Sequence, residues 1–160
     1  MNRLLDGLKV ALCLYIAAVL QTAAAYHMDI FGARPDFLLL TGTLLPLFLP
    51  PVGGTVCGFF AGALHGWVTG VSLTAYALVR MAFGYAAALF GRSGFEIDLK
   101  VAVGVVAAGS FLTQCIVFFV APPADKAAFF RATIGTAAYN AVLAVPFFVV
   151  ARRVFEPRDD

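Results

Sequence analysis

The sequence predicts an all-α integral membrane protein of about six transmembrane helices joined by short loops. Three observations carry this reading. The chain is 62% hydrophobic and only 12% charged, where a soluble domain has about 25% charged residues. Residues 37–79, 101–124 and 132–151 contain no Asp, Glu, Lys or Arg. A bilayer core needs about 20 mostly apolar residues per helix, and several stretches meet or approach that length. The intervals between them are too short to hold a folded domain, so the chain reads as one transmembrane domain, 1–160. Its spans fall near 4–25, 36–50, 53–70, 72–91, 101–121 and 132–152.

The first span opens MNRLLDGLKVALCLYIAAVLQTAAA. A positive start, an apolar run and small residues at Ala23 to Ala25 also fit a secretory signal peptide. The apolar segments that follow favour an uncleaved first span. Gln21 near its end is a candidate for interhelical hydrogen bonding, worth about 1 kcal/mol in a membrane.

The loop that follows reads HMDIFGARPDFLLL. Gly32 and Pro35 set a turn, and Arg34 with Asp36 are expected to cap the second span. Asp36, just after a proline, is placed to accept backbone N–H groups and to complement the helix dipole. Exposure outside the cytoplasm would also make this loop a docking site. The second span is short and is interrupted by Pro46, and PPVGG (50–54) is a turn signal. Residues 36–70 are therefore either two short spans or a hairpin that dips in and returns.

The third span is GTVCGFFAGALHGWVTG, with Gly54, Gly58, Gly62, Gly66 and Gly70 at every fourth position. Glycine costs about 1 kcal/mol in a water-exposed helix. In lipid the backbone must close its own hydrogen bonds, so the segment stays helical. Four residues turn a helix by about 400°, which stacks the glycines into a slowly winding groove without side chains. Another helix can approach closely there, either from within the chain or from a second protein. His65 beside this row reads as a packing residue or a proton relay.

Arg80 lies near the middle of the fourth span, where a charge costs about 2.5–3.5 kcal/mol. Tyr76, Arg80, Gly84 and Ala88 share one face. No acid stands at an obviously comparable depth, so the candidate neighbours are helix-end carbonyls, Gln114, Asn140, water, an acid of a partner, or Asp36 if its span is short. Snorkelling to the interface is the bland alternative. Gln114 in the fifth span and Asn140 in the sixth are further candidates for interhelical bonds.

Basic residues orient the chain. Arg3, Lys9, Arg92, Lys100, Arg152, Arg153 and Arg158 fall on one side, and Arg34, Lys126 and Arg131 on the other. The richer side is cytoplasmic, which places both termini there. The net charge of +2 comes from span anchors and makes no nucleic-acid patch. Cys13, Cys57 and Cys115 have no metal-binding spacing, there is no paired intramembrane acid, and no nucleophile motif occurs. Neither an enzyme, a metal nor another cofactor is expected.

The loop and the two spans after it resemble a known family. LQTAAAYHMDIFGARPDFLLL is similar to the glutamine, loop and G-x-x-P-D-L-L-L motif of the rod shape-determining MreD family. GTVCGFFAGALHGWVTG resembles that family's G-x-x-x-G-F-x-x-G-L segment, and AYALVRMAFGYAAALFGR its A-L-x-x-x-x-x-G-Y-x-x-G-x-x-x-R stretch. The match is clear over residues 20–92 and compositional from 101 onward. Relatives often carry an acid where this chain has Gly66 after His65, and many have a smaller or apolar residue at Arg80.

The resemblance implies a fold similar to the six-helix substrate-binding subunits of energy-coupling-factor vitamin transporters. It implies a non-enzymatic scaffold of the bacterial cell-elongation (rod) complex in the inner membrane, supporting peptidoglycan synthesis and rod shape. The implied partners are the transmembrane segment of MreC and, through it, MreB, RodA and a penicillin-binding transpeptidase, besides the membrane lipids themselves. The alternative is a small-molecule (vitamin) binding subunit whose cavity Tyr76, Arg80, Gln114 and Asn140 would line.

Overall fold

A computed structural model describes residues 3–155; Arg158 of the orientation count lies outside them. The helices run α1 Arg3–Ala23, α2 Phe37–Leu44, α3 Pro51–Thr69, α4 Leu73–Gly91, α5 Leu99–Val120 and α6 Lys126–Phe155, with 3-10 turns at Ala25–Met28 and Leu45–Phe48. Apart from one isolated bridge between Ile30 and Ala33, the described structure is helical. By length and composition four stretches can cross a membrane: Leu5–Ala23, Leu73–Gly91, Leu99–Val120 and Lys126–Phe155. This is a multi-pass, all-α membrane protein.

Helices α2, α4, α5 and α6 start where the sequence provides a side-chain cap. Asp36 accepts from the Leu39 N–H at 2.8 Å, Asp98 from Val101 at 2.8 Å, and Asp125 from Ala128 at 2.9 Å. Ser72 does the same for α4, with a longer bond to the Ala75 N–H. Pro51 occupies the first turn of α3, where its missing N–H is of no consequence. Gly70 ends that helix with φ +69°, the left-handed C-cap that glycine adopts at least cost. Lys9 Nζ donates to the Val154 carbonyl at 3.0 Å, so the start of α1 and the end of α6 lie together.

The short second helix is the hub. Every residue of α2 is buried, and it touches α1, α3, α4, α5 and α6. Leu38, Leu39, Leu40 and Leu44 are at most 1% exposed. With its 3-10 extension it covers Phe37–Phe48, roughly 18 Å at 1.5 Å per residue, against a hydrocarbon core of about 30 Å. The rest of that crossing is non-helical chain, which is tolerated at depth only where protein satisfies its backbone. Here Gln21 Oε1 accepts from the Phe37 N–H at 2.8 Å and Asn140 Oδ1 from the Asp36 N–H at 3.0 Å. Thr136 Oγ1 donates to the Arg34 carbonyl at 2.8 Å and Gln21 Nε2 to that of Pro35 at 3.4 Å.

The glycine row of α3 is filled by α4, running antiparallel. A Cβ on Gly54 would sit 2.6 Å from both the Ala88 Cβ and the Gly84 carbonyl oxygen. On Gly58 it would strike the Arg80 carbonyl, on Gly62 that of Tyr76, and on Gly66 the Cα of Leu73. Gly70 belongs to the helix stop and faces open space. Of the two readings of the row, the structure supplies the occupant from within the chain, which leaves no free glycine groove between Gly54 and Gly66 for a partner helix.

Gly62→Leu is therefore expected to force α3 and α4 apart at a cost of about 3 kcal/mol or more. Gly104→Leu, where a Cβ meets nothing within 4 Å, is expected to change stability by less than about 0.5 kcal/mol. Thermal melting of the two variants in detergent checks the contrast.

Candidate functional site: a buried charge cluster at the tip of α2

Asp36 stands at the N-terminus of α2, 4% exposed, and faces Arg80 of α4, 2% exposed. The Arg80 Nη2 donates to Asp36 Oδ2, and the salt bridge lies wholly inside the bundle. Arg80 Nη1 reaches the Ala61 carbonyl of α3 at 3.5 Å. His65 Nδ1 lies 3.3 Å from the same Asp36 oxygen, off the line a hydrogen bond needs. The Asp36 backbone N–H is held by Asn140, whose Nδ2 in turn donates to Ser110 Oγ at 3.1 Å.

Tyr76 braces the cluster from one side. Its ring stacks on His65 at 4.6 Å with 24° between planes, and the Arg80 guanidinium lies 5.3 Å from its centroid, within cation–π range. The Tyr76 hydroxyl donates to Gln114 Oε1 at 3.2 Å. Gln21, Asp36, His65, Tyr76, Arg80, Gln114 and Asn140 thus tie α1 through α6 together around one ion pair.

The sequence offered Asp36 to Arg80 only conditionally, if the second span were short. It is short: α2 is the eight residues Phe37–Leu44, continued only by the 3-10 turn to Phe48. Of the loop residues, Asp36 caps α2 and is buried. Arg34 does not cap: it pairs with Asp29 at 2.7 Å and lies over the Tyr26 ring at 4.8 Å, while Pro35 is buried and Gly32 takes a left-handed φ of +84°. Arg80 does not snorkel, and its guanidinium is shut inside.

Ser110 and Thr136 were not singled out as part of this network. The signal was present: Ser110, Thr113, Gln114 and Val117 lie on one face of α5 at i, i+3, i+4 and i+7. The polar groups that a vitamin-type cavity would need, Tyr76, Arg80, Gln114 and Asn140, are instead bonded to protein partners. The Arg80 Nε and Thr113 Oγ1 are left without a hydrogen bond in this interior. Among the described residues no group of three or more His, Cys, Asp or Glu is arranged to hold a metal ion.

The family model described as rod shape-determining protein MreD matches residues 1–155, nearly the whole chain. The chain belongs to the MreD family. That match extends past the motifs of the loop and the third and fourth spans to include α5 and α6, where the sequence resemblance was only compositional. Neither the curated proteins nor the solved structures contain a match. Membership assigns the chain to rod shape determination in the cell. In MreD terms, the P-D motif supplies the buried acid, the glycine segment supplies a seam, and the two meet at Arg80.

Two outcomes follow. Arg80→Leu strands a buried carboxylate and is expected to cost about 3–5 kcal/mol, whereas Asp36→Asn with Arg80→Leu is expected to cost clearly less than the two single changes added together. A double-mutant cycle on detergent melting measures this, and additive costs would refute the pairing. Outside the membrane, the hydrogen bond from Arg34 and the Gly32 N–H hold the Asp29 carboxyl below the usual carboxylate range. Its contribution is complete above about pH 4 and is lost as pH falls through its lowered pKa. Hydrogen exchange at Gly32 is expected to accelerate in acid accordingly.

Proposed function

We propose that this MreD-family protein is a non-enzymatic scaffold and regulator of the cell-elongation complex in the bacterial inner membrane. It holds MreC through that protein's transmembrane segment and so supports peptidoglycan synthesis by RodA and a penicillin-binding transpeptidase, in register with MreB. The observation that carries this reading is where the polar chemistry goes. The charges and amides of the bundle interior are spent on one another, and what faces outward is apolar: Leu8 of α1, Ile134 of α6 and Phe119 of α5 are 68%, 62% and 82% exposed. A molecule built this way acts through its surface.

Orientation follows the same reading. The Lys9 end of α1, the end of α6 with Arg152 and Arg153, and the α4–α5 connection with Arg92 and Lys100 lie at one end of the bundle. The excess of basic residues there supports a cytoplasmic location for both termini. Co-expression of the tagged chain with MreC in a membrane background tests the proposal. MreC is expected to co-purify in detergent, and cells depleted of the chain are expected to round up. Failure of MreC to co-purify when both proteins accumulate in the membrane would overturn the scaffold reading.

A further inference from the structure

Between α1 and α6, over a floor made by α2, lies an apolar slot of about 260 Å³. Cys13 and Ile16 of α1, Leu44 and Leu45 at the end of α2, and Phe147 and Val150 of α6 line it. Thr41 also borders it, but its hydroxyl oxygen is buried and out of a guest's reach. Ile16 and Val150 are 49% and 60% exposed, so the slot opens sideways, toward the acyl chains around the bundle. Near the termini Lys9 joins its two walls. The Lys9 Nζ donates to the Val154 carbonyl at 3.0 Å and lies 5.8 Å from the Phe155 ring centroid, and both of those residues line the slot.

Size decides what can enter. One turn of a helix about 10–12 Å across displaces roughly 400–600 Å³, so a second helix does not fit inside. Water finds no bonding partner on these walls, and an apolar cavity of this kind takes an apolar guest. Left unfilled, the gap would forfeit the dispersion contacts of every atom that lines it. In a bilayer the slender apolar body at hand is a single hydrocarbon chain, and that chain brings a headgroup with it.

Charge marks where the headgroup goes. Lys9 stands one turn before Cys13 on the same face of α1. It spends one of its three N–H donors on Val154, and Asp6 Oδ1 at 3.8 Å is beyond hydrogen-bond reach. Two donors are left for a phosphate. Arg153, exposed beside Val154 on α6, adds a second positive charge at that level. A zwitterionic headgroup would bring its own cation to these two bases, so they favour a lipid of net negative charge.

We propose that the slot holds one acyl chain of an anionic phospholipid from the leaflet on the side of the termini, with Lys9 on its phosphate. This site stands apart from the scaffold reading and requires only that the chain spans the membrane.

The full chain, reconstituted with equal amounts of phosphatidylglycerol and phosphatidylethanolamine and extracted in mild detergent, is expected to retain one phospholipid by native mass spectrometry. Phosphatidylglycerol is expected to be preferred by about fivefold, the worth of one base near an anionic surface. Lys9→Gln, whose amide can still donate to Val154, is expected to keep a lipid but lose the preference, and Lys9→Arg to keep both. Val150→Trp fills the slot from an exposed position and is expected to abolish retention, whereas Leu78→Trp, exposed on α4, is not. A photo-crosslinking phenylalanine analogue at Val150 is expected to capture phospholipid in the bilayer. The site is overturned if wild type retains no phospholipid or holds both kinds equally, or if Lys9→Gln keeps the preference. It is equally overturned if Val150→Trp retains lipid as wild type does, or if the adduct at Val150 is a protein.

Discussion

The ion pair between Asp36 and Arg80 occupies a depth at which neither charge could stand alone. Placing one charge at the centre of a membrane helix costs about 2.5–3.5 kcal/mol even on the lenient insertion scales, so two unpaired charges would cost about twice that. Together they cancel most of the field, and the remaining capacity of the carboxylate is taken up by the Leu39 N–H at the start of α2. This explains why a helix as short as Phe37–Leu44 can exist in the middle of the bundle. Its N-terminus would otherwise expose unbonded N–H groups to hydrocarbon, and Asp36 supplies both a cap and a charge that the positive end of the helix favours. The arginine then neutralises what the cap brings in.

Arg80 can reach Asp36 only because α3 and α4 lie unusually close. The backbone carbonyls of Arg80 and Tyr76 rest directly over Gly58 and Gly62, so the two residues whose side chains build the cluster are those whose main chain presses on the glycine row. Seam and cluster are one construction. In lipid no hydrophobic drive pushes helices together, and close packing has to provide the attraction. The glycines give α4 that proximity, and the polar residues fix its register along α3. His65, in α3 beside the glycine row, stacks on Tyr76 of α4.

Much of this was legible in the amino-acid order. The charge-free stretches and the glycine repeat dictate membrane helices and a close seam, because those depend on local composition and period. The pairing of Asp36 with Arg80 was not legible, since it depends on how far the chain descends before α2 begins. That depth is set by Gln21, Thr136 and Asn140 bonding the backbone of residues 34–37, contacts that span up to 104 positions. Sequence spacing carries no record of such depth. Arg34 misled for a related reason: adjacency to Pro35 and Asp36 suggested a cap, whereas the turn directs it back to Asp29. Ser110 and Thr136 escaped because a lone hydroxyl in an apolar run looks like packing until its partner is known.

A bundle tied at its centre to a fully enclosed helix has few ways to deform. Moving any one of the long helices would break a bond to Asp36, to its backbone, or to a residue that holds it, and in hydrocarbon no water replaces that bond. The outer faces are therefore held in fixed relation to one another. Between helices in lipid, specificity comes from matched shape and a few polar contacts, and shape can discriminate only if it does not relax to fit whatever touches it. The interior network, which meets no partner, supplies that constancy.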